Sequence, residues 1–190
     1  MNKINVLYKF IDDKAIDSYI DYINYLEKNF LEEFGSYQNG KRLALQFGVD
    51  LYSDRDIHPT LDLIKEKETE FRNLFDKICN RVMALYEETD FLHVCNFWLA
   101  KQHPGAVVEP HDDTDDGSNS HIDYSVVLYL NKILDGGVLE FPDLGYAHNP
   151  SPGDLVVFPT KTTGNHMVAS INEERYSLVL CLTKDKRYKV

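Results

Sequence analysis

The sequence predicts a mainly β, α+β fold: a sandwich or jelly roll of short strands, with two N-terminal amphipathic helices packed on one outer face. Three observations predict it. Apolar residues recur at helical spacing twice before Asp90. After Asp90 the chain becomes a series of short aromatic and β-branched runs broken by Gly, Pro and Asn. No helical pattern separates those runs, which argues for antiparallel layers rather than a parallel sheet.

The first stripe is Ile16, Tyr19, Ile20, Ile23, Leu26, Phe30 and Phe34, with Asp12 and Asp13 at the positive end of the helix and Gly35 as its expected stop. The second is Leu61, Ile64, Phe71, Leu74, Phe75, Ile78, Val82 and Leu85, opened by Pro59 in a first-turn position. Stripes this wide pack on their own core rather than on a coiled-coil partner. Between them Asn39-Gly40 marks a turn and 42–49 a short strand. Strands are then expected at 91–102, 107–110, 124–130, 138–141, 146–148, 155–158, 166–170 and 176–183, separated by breaks such as Pro104-Gly105, Gly136-Gly137 and Pro152-Gly153. With no repeat and no linker, the 190 residues read as one domain: a helical support region at 1–90, a β core at 91–183 and a basic tail at 184–190.

Charge narrows the function. Lys and Arg total 20 against 31 Asp and Glu, a formal charge of -11. That sign repels phosphate backbones and anionic lipid, so nucleic-acid and membrane-surface partners are disfavoured. Apolar runs fall far short of the ~20 residues that span a bilayer. Charged side chains run through 1–20, which is therefore no signal peptide. Cys79, Cys95 and Cys181 are odd in number and widely spaced, so they read as buried free thiols of an intracellular, cytoplasmic protein.

Histidines and carboxylates carry the chemistry. His111 and Asp113 are two apart at the end of an expected strand, so their side chains share one side. A jelly roll can return His166 beside them from several strands later. Two imidazoles and one carboxylate on one face of an octahedral ion leave open positions, the ligand set of non-haem Fe(II) oxygenases. Arg175, with Ser177 at i+2 on the same face, forms a fork for a carboxylate, and Tyr129 can add a hydroxyl from an adjacent strand. His58, His93, His121 and His148 lack ligand-type partners and read as structural. The acidic stretch 112–120 fails the calcium-loop pattern, with Thr114 and Asp123 in ligand positions, and reads as a solvated loop.

From about Phe97 to Leu182 the chain resembles the 2-oxoglutarate- and Fe(II)-dependent dioxygenase superfamily, and most closely its prolyl 4-hydroxylase branch. The matching pieces are Pro104-Gly105, His111-Asp112-Asp113, Tyr129-Leu130-Asn131, the Gly136-Gly137 run to Glu140-Phe141, Pro152-Gly153-Asp154, His166 and Arg175-Tyr176-Ser177. The resemblance implies a double-stranded β-helix, with Fe(II) held by His111, Asp113 and His166. It also implies a 2-oxoglutarate cosubstrate paired through its far carboxylate with Arg175, helped by Tyr129 and Ser177. Dioxygen would then drive decarboxylation to succinate and hydroxylation of an unactivated C–H. His103 stands where prolyl hydroxylases carry an aromatic hydroxyl residue, and Glu174 replaces a Gly.

Three functions follow in order. The first is a hydroxylase of a peptidyl, prolyl-type residue. The second is an oxygenase of a small molecule, free amino acid or nucleobase. Nucleobase demethylases tend to carry a second Arg where this chain has Cys181, and the net charge opposes a nucleic-acid substrate. The third, a non-enzymatic jelly-roll binding module, has no need of Arg175.

Overall fold

The structure is a computed structural model that describes residues 4–33, 35–37, 42–47, 65–114 and 119–188. The chain opens with a short strand, β1 (Asn5–Leu7), followed by helix α1 (Asp13–Phe30). Asp12 caps α1: its carboxylate accepts from the Ala15 N–H at 2.8 Å. Strands β2 (Gly35–Tyr37) and β3 (Arg42–Phe47) precede helix α2 (Glu68–Tyr86). The β-rich part follows as β4 (His93–Gln102), β5 (Val108–His111), β6 (Tyr124–Tyr129), β7 (Leu139–Phe141), β8 (Tyr146–His148), β9 (Leu155–Pro159), a one-turn helix α3 (Thr160–Thr163), β10 (His166–Val168) and β11 (Arg175–Thr183).

Among the described residues these strands form two sheets. The larger runs β1-β9-β6-β11-β4-β3-β2 and the smaller β5-β10-β7-β8, with every pairing antiparallel. Two facing sheets of this kind are the double-stranded β-helix that the sequence pointed to.

Strand periodicity sorts the large sheet's residues by side. Leu43, Leu45, Phe97, Leu99, Val126, Leu128, Leu178 and Leu180 point outward and join Ile16, Tyr19, Ile23 and Leu26 of α1 and Phe71, Leu74, Phe75, Ile78 and Val82 of α2 in one buried cluster. Phe97 lies 4.9 Å from Phe75, edge to face, and 5.4 Å from Phe71. At ~1.5–3 kcal/mol for each large apolar side chain, this layer is the main source of stability. One cation shares it. Lys101 Nζ meets Glu27 at 2.8 Å and Glu174 at 3.3 Å and donates to Asn24 at 3.1 Å. Burial works to lower its pKa, and the hydrogen bonds to Glu27 and Tyr176 outweigh that, raising it.

One irregularity breaks the alternation. Cys181 pairs with Asn96, but the next residue, Leu182, pairs with Val94, so Cys95 is an extra residue in β4. Beyond it Val94 returns to the helix layer, while Cys95 packs with Cys181 and Ile122. In the smaller sheet, Gly136 at φ +84° bridges Ile171, and a Cβ there would come within 1.9 Å of the Ser170 carbonyl oxygen. The first glycine of the Gly136-Gly137 pair is thus a backbone requirement.

Several expected boundaries move. Helix α1 ends at Phe30 and passes into a 3₁₀ turn at Leu31–Glu33, while Gly35 begins β2 instead of ending the helix. Strands β1, β2 and the turn α3 had no clear periodic signal. The Asn39-Gly40 turn, Val49, His58, Pro59, Leu61, Ile64, Phe34, Gly117 and Lys189 lie outside the described residues. No described helix is long and apolar enough to cross a membrane.

Candidate active site

The inner faces of the two sheets enclose a cavity of about 300 Å³. Pairing fixes what lines it. On the large sheet Arg42, Gln102 and Arg175 lie opposite one another in one transverse row, and Ala44, Ala100 and Ser177 lie in the next. Trp98, Val127, Val179 and Phe158 continue the lining, and the small sheet contributes Val108, Leu139 and Val168.

Three potential ligands converge at this cavity. His111 and His166 are direct cross-strand partners in the β5–β10 ladder, so register alone brings together residues far apart in the chain. Their ring centroids lie 4.2 Å apart. Asp113, just past β5, places Oδ1 3.5 Å from His111 Nε2 and Oδ2 3.7 Å from His166 Nε2. One donor atom from each residue falls within 4.8 Å of the others, close enough to hold one metal ion.

The surroundings orient these donors. His111 Nδ1 lies 2.9 Å from the Glu109 carbonyl, a contact it can make only by donating, which turns Nε2 to the cavity as the nitrogen that takes either a proton or a metal. Ser125 Oγ donates to Asp113 Oδ2. His166 is buried, with Phe158 edge-on at 4.8 Å. Burial lowers its pKa and favours the neutral imidazole that a metal needs. The hydrogen bond to Asp113 raises His111. For Asp113 burial pushes upward, yet His111, His166 and Ser125 together hold the carboxyl below its ordinary value.

Arg175 is a further charged group of the cavity wall, beside Asp113 and Arg42. It is 4% exposed, and its described partners are neutral: Nη1 donates to Gln102 Oε1 and, at 3.5 Å, to Ser177 Oγ. Its Nε is buried without a hydrogen-bond partner among the described residues. A buried guanidinium with no acid beside it among the described residues fits a ligand carboxylate. Tyr129 lies behind it, with the guanidinium 4.9 Å from the ring centroid. Tyr129 does not line the cavity, and its hydroxyl is buried without a partner among the described residues. Burial raises its pKa.

The remaining candidates lie elsewhere. His103 sits between Glu27 at 3.3 Å and Glu174 at 3.4 Å and does not line the cavity. His148 Nε2 meets Asp154 at 3.2 Å in a buried pair. Asp112 folds back on Thr114 through bonds of 2.8 and 2.7 Å, closing a local turn. In the tail, Lys184 pairs with Glu88 at 2.7 Å and Arg187 with Asp185. Sequence reasoning passed over Ser125, Gln102, Arg42 and Trp98. The one usable signal was the isolated hydroxyl of Ser125 inside an otherwise apolar and aromatic strand.

Fold, ligand-type triad and a guanidinium with no acid among its described partners are similar to those of the 2-oxoglutarate- and Fe(II)-dependent oxygenases. The family model described as 2OG-Fe(II) oxygenase superfamily matches residues 97–182, so the β-rich part of the chain resembles that superfamily, whose members use Fe(II), 2-oxoglutarate and O2. Three solved structures illustrate the likeness. A 2OG-Fe(II) oxygenase family oxidoreductase from Burkholderia pseudomallei superposes with a TM-score of 0.70 at 17% identity, covering 95% of this chain and 84% of that one. A Pseudomonas putida prolyl-4-hydroxylase gives 0.64 at 20% identity, covering 96% and 93%. SnoN, a non-heme α-ketoglutarate-dependent epimerase from nogalamycin biosynthesis, gives 0.68 at 13% identity, covering 96% and 78%. At these identities they share the fold. No curated protein matches the sequence.

Proposed function

We propose that the chain is a dioxygenase that hydroxylates an unactivated C–H of a peptidyl, prolyl-type residue, with His111, Asp113 and His166 as its Fe(II) ligands. The observation that carries the reading is the shared cavity: a buried Arg175 with no acid among its described partners, and three converging metal donors, line the same walls. When bound, the metal couples oxidative decarboxylation of 2-oxoglutarate by dioxygen to oxidation of the substrate C–H.

The protein's share is positioning. Glu109 and Ser125 fix the His111 ring and the Asp113 carboxylate before any ion arrives. Arg175 takes the distal carboxylate of 2-oxoglutarate in a charge-assisted pair, with Ser177 as a second donor. Tyr129 backs the guanidinium from behind, a cation–π contact of about 1–2 kcal/mol when desolvated. The prolyl-type substrate is supported by the likeness to the Pseudomonas putida prolyl-4-hydroxylase. A cytoplasmic location is supported by three free thiols.

Anaerobic addition of Fe(II) and 2-oxoglutarate is expected to give the visible charge-transfer absorption of a chelated complex, and Asp113→Ala to abolish it. Unchanged absorption in that variant refutes the ligand assignment. Succinate release against proline-containing peptides, free amino acids and methylated oligonucleotides then decides the substrate class.

A further inference from the structure

The inner face of the large sheet divides into two lanes. Arg175 and Ser177 follow one another on β11, and the next inward residue, Val179, lies opposite Val127 of β6. Two residues before Val127, Ser125 holds Asp113. The path from the guanidinium to the metal donors therefore runs along β11 and β6. The second lane belongs to β4 and β3. There Ala100 stands between Ser177 and Ala44 in one row, and both alanines line the cavity with nothing larger than a methyl group.

Trp98 closes this second lane on the metal side. It is the next inward residue of β4, about 6–7 Å from Ala100 along the strand. It lies opposite Val179, and the row beyond it pairs Cys181 with Ser125. Its side chain packs on buried Cys95, Ile122 and Cys181 and lines the cavity beyond them. Phe158, the other carbocyclic ring of the lining, is buried against Phe141 and His166. Trp98 is only half-buried, and among the described residues no ring, cation or hydrogen-bond acceptor pairs with its indole. A large rigid apolar surface in that position gains from an apolar group that covers it. A compact saturated ring suits the lane better than an open chain, because it loses no rotamer freedom on seating and lays its C–H edges on the flat indole.

We propose that Trp98 is the substrate platform of the site, packing against the pyrrolidine ring of a prolyl residue, with Ala44 and Ala100 leaving the room for it. The inference rests on the oxygenase reading, in which 2-oxoglutarate occupies the Arg175 lane, and adds to it the residue that selects a ring.

Trp98 is the one tryptophan in the sequence, so its fluorescence reports on this position alone. The test uses full-length protein loaded with Fe(II) and saturated with 2-oxoglutarate under anaerobic conditions. It is titrated with acetyl-Ala-Pro-Ala-amide and with the same peptide carrying norvaline, the open-chain counterpart, in place of proline. Binding is read by perturbation of the charge-transfer band, and contact by tryptophan emission. The prolyl peptide is expected to bind about tenfold more tightly, to shift the emission to shorter wavelength and to protect it from acrylamide quenching. Trp98→Leu should erase the preference and Trp98→Phe retain part of it, with 2-oxoglutarate affinity unchanged. The emission measurement needs no variant, so the test stands even where a substitution prevents folding. Equal binding of the two peptides, a preference that survives in Trp98→Leu, or binding that leaves the emission unchanged overturns the platform. A raised 2-oxoglutarate requirement in Trp98→Phe assigns the indole to the cosubstrate and overturns the platform alone. Absence of the band in the wild type removes the oxygenase reading and the platform together.

Discussion

Outward from the seven-stranded sheet, Phe97, Leu99, Leu178 and Leu180 press against two helices, fully buried and wholly apolar. Inward, the same two central strands present Trp98, Ala100, Gln102, Arg175 and Ser177 to the cavity. Neighbouring residues of one strand thus serve opposite ends. The outward layer gains from close packing, whereas the inward one keeps buried donors without partners, a cost to stability that ligands offset. Damage to folding and damage to chemistry should therefore separate by residue parity.

The largest effect is expected outward. Phe97→Ala should cost about 3–5 kcal/mol of folding stability through the cavity left between Phe71 and Phe75, measured by denaturant melts. If it also weakened 2-oxoglutarate binding in protein that remains folded, the separation would fail. Next comes Arg175→Leu, which should raise the 2-oxoglutarate dissociation constant by ~2–5 kcal/mol, from about thirtyfold upward, with no loss of melting temperature. An unchanged dissociation constant would mean that the guanidinium is not the cosubstrate anchor.

Ser125→Ala should weaken Fe(II) affinity about 10–100-fold by releasing Asp113 Oδ2, and Ser125→Thr should recover much of it. Calorimetric titration with the metal alone reads this, and equal affinities for wild type and Ser125→Ala would exclude the positioning role. The smallest effect lies on the polar margin of the outward layer. Burial works to raise Glu88, but Lys184 and Tyr124 outweigh it and hold the carboxyl below its ordinary value. A depressed carboxyl stabilises the fold above its unfolded-state pKa, and that contribution is lost as pH falls through the folded-state pKa. Glu88→Gln should therefore melt a few degrees below wild type at neutral pH, for about 1 kcal/mol, with the gap closing in acid. A gap that persists at low pH would assign the effect to packing instead.

How much was legible follows from range. The α2 stripe from Phe71 to Val82 and the core strands were readable because their periodicity is local. Strands β1 and β2 were not, being three-residue edges that exist only through pairing with β9 and β3. His111 and Asp113 stood out as a local pair, but that His166 lies directly across from His111 is a fact of register that no local pattern carries. Arg175 announced itself through Ser177 at i+2, and the two do share a face. Gln102 and Arg42 gave no signal, since a polar residue near a strand end is ordinarily solvated and only the ladder shows them in one row with Arg175. Tyr129 was placed on the right face, but depth along the row, which sets it behind the guanidinium, is invisible in one dimension.

The supernumerary Cys95 has a consequence for how this chain tolerates change in length. Because the extra residue of β4 sits there, trimming Cys95 alone would make the ladder regular and leave Val94 opposite Leu182, facing the helices as it does now. Loss of one residue from the regular stretch 97–102 would instead turn everything before it by half a turn. Indel scanning across 95–102 should therefore find the removal of Cys95 tolerated where removal of Leu99 is not.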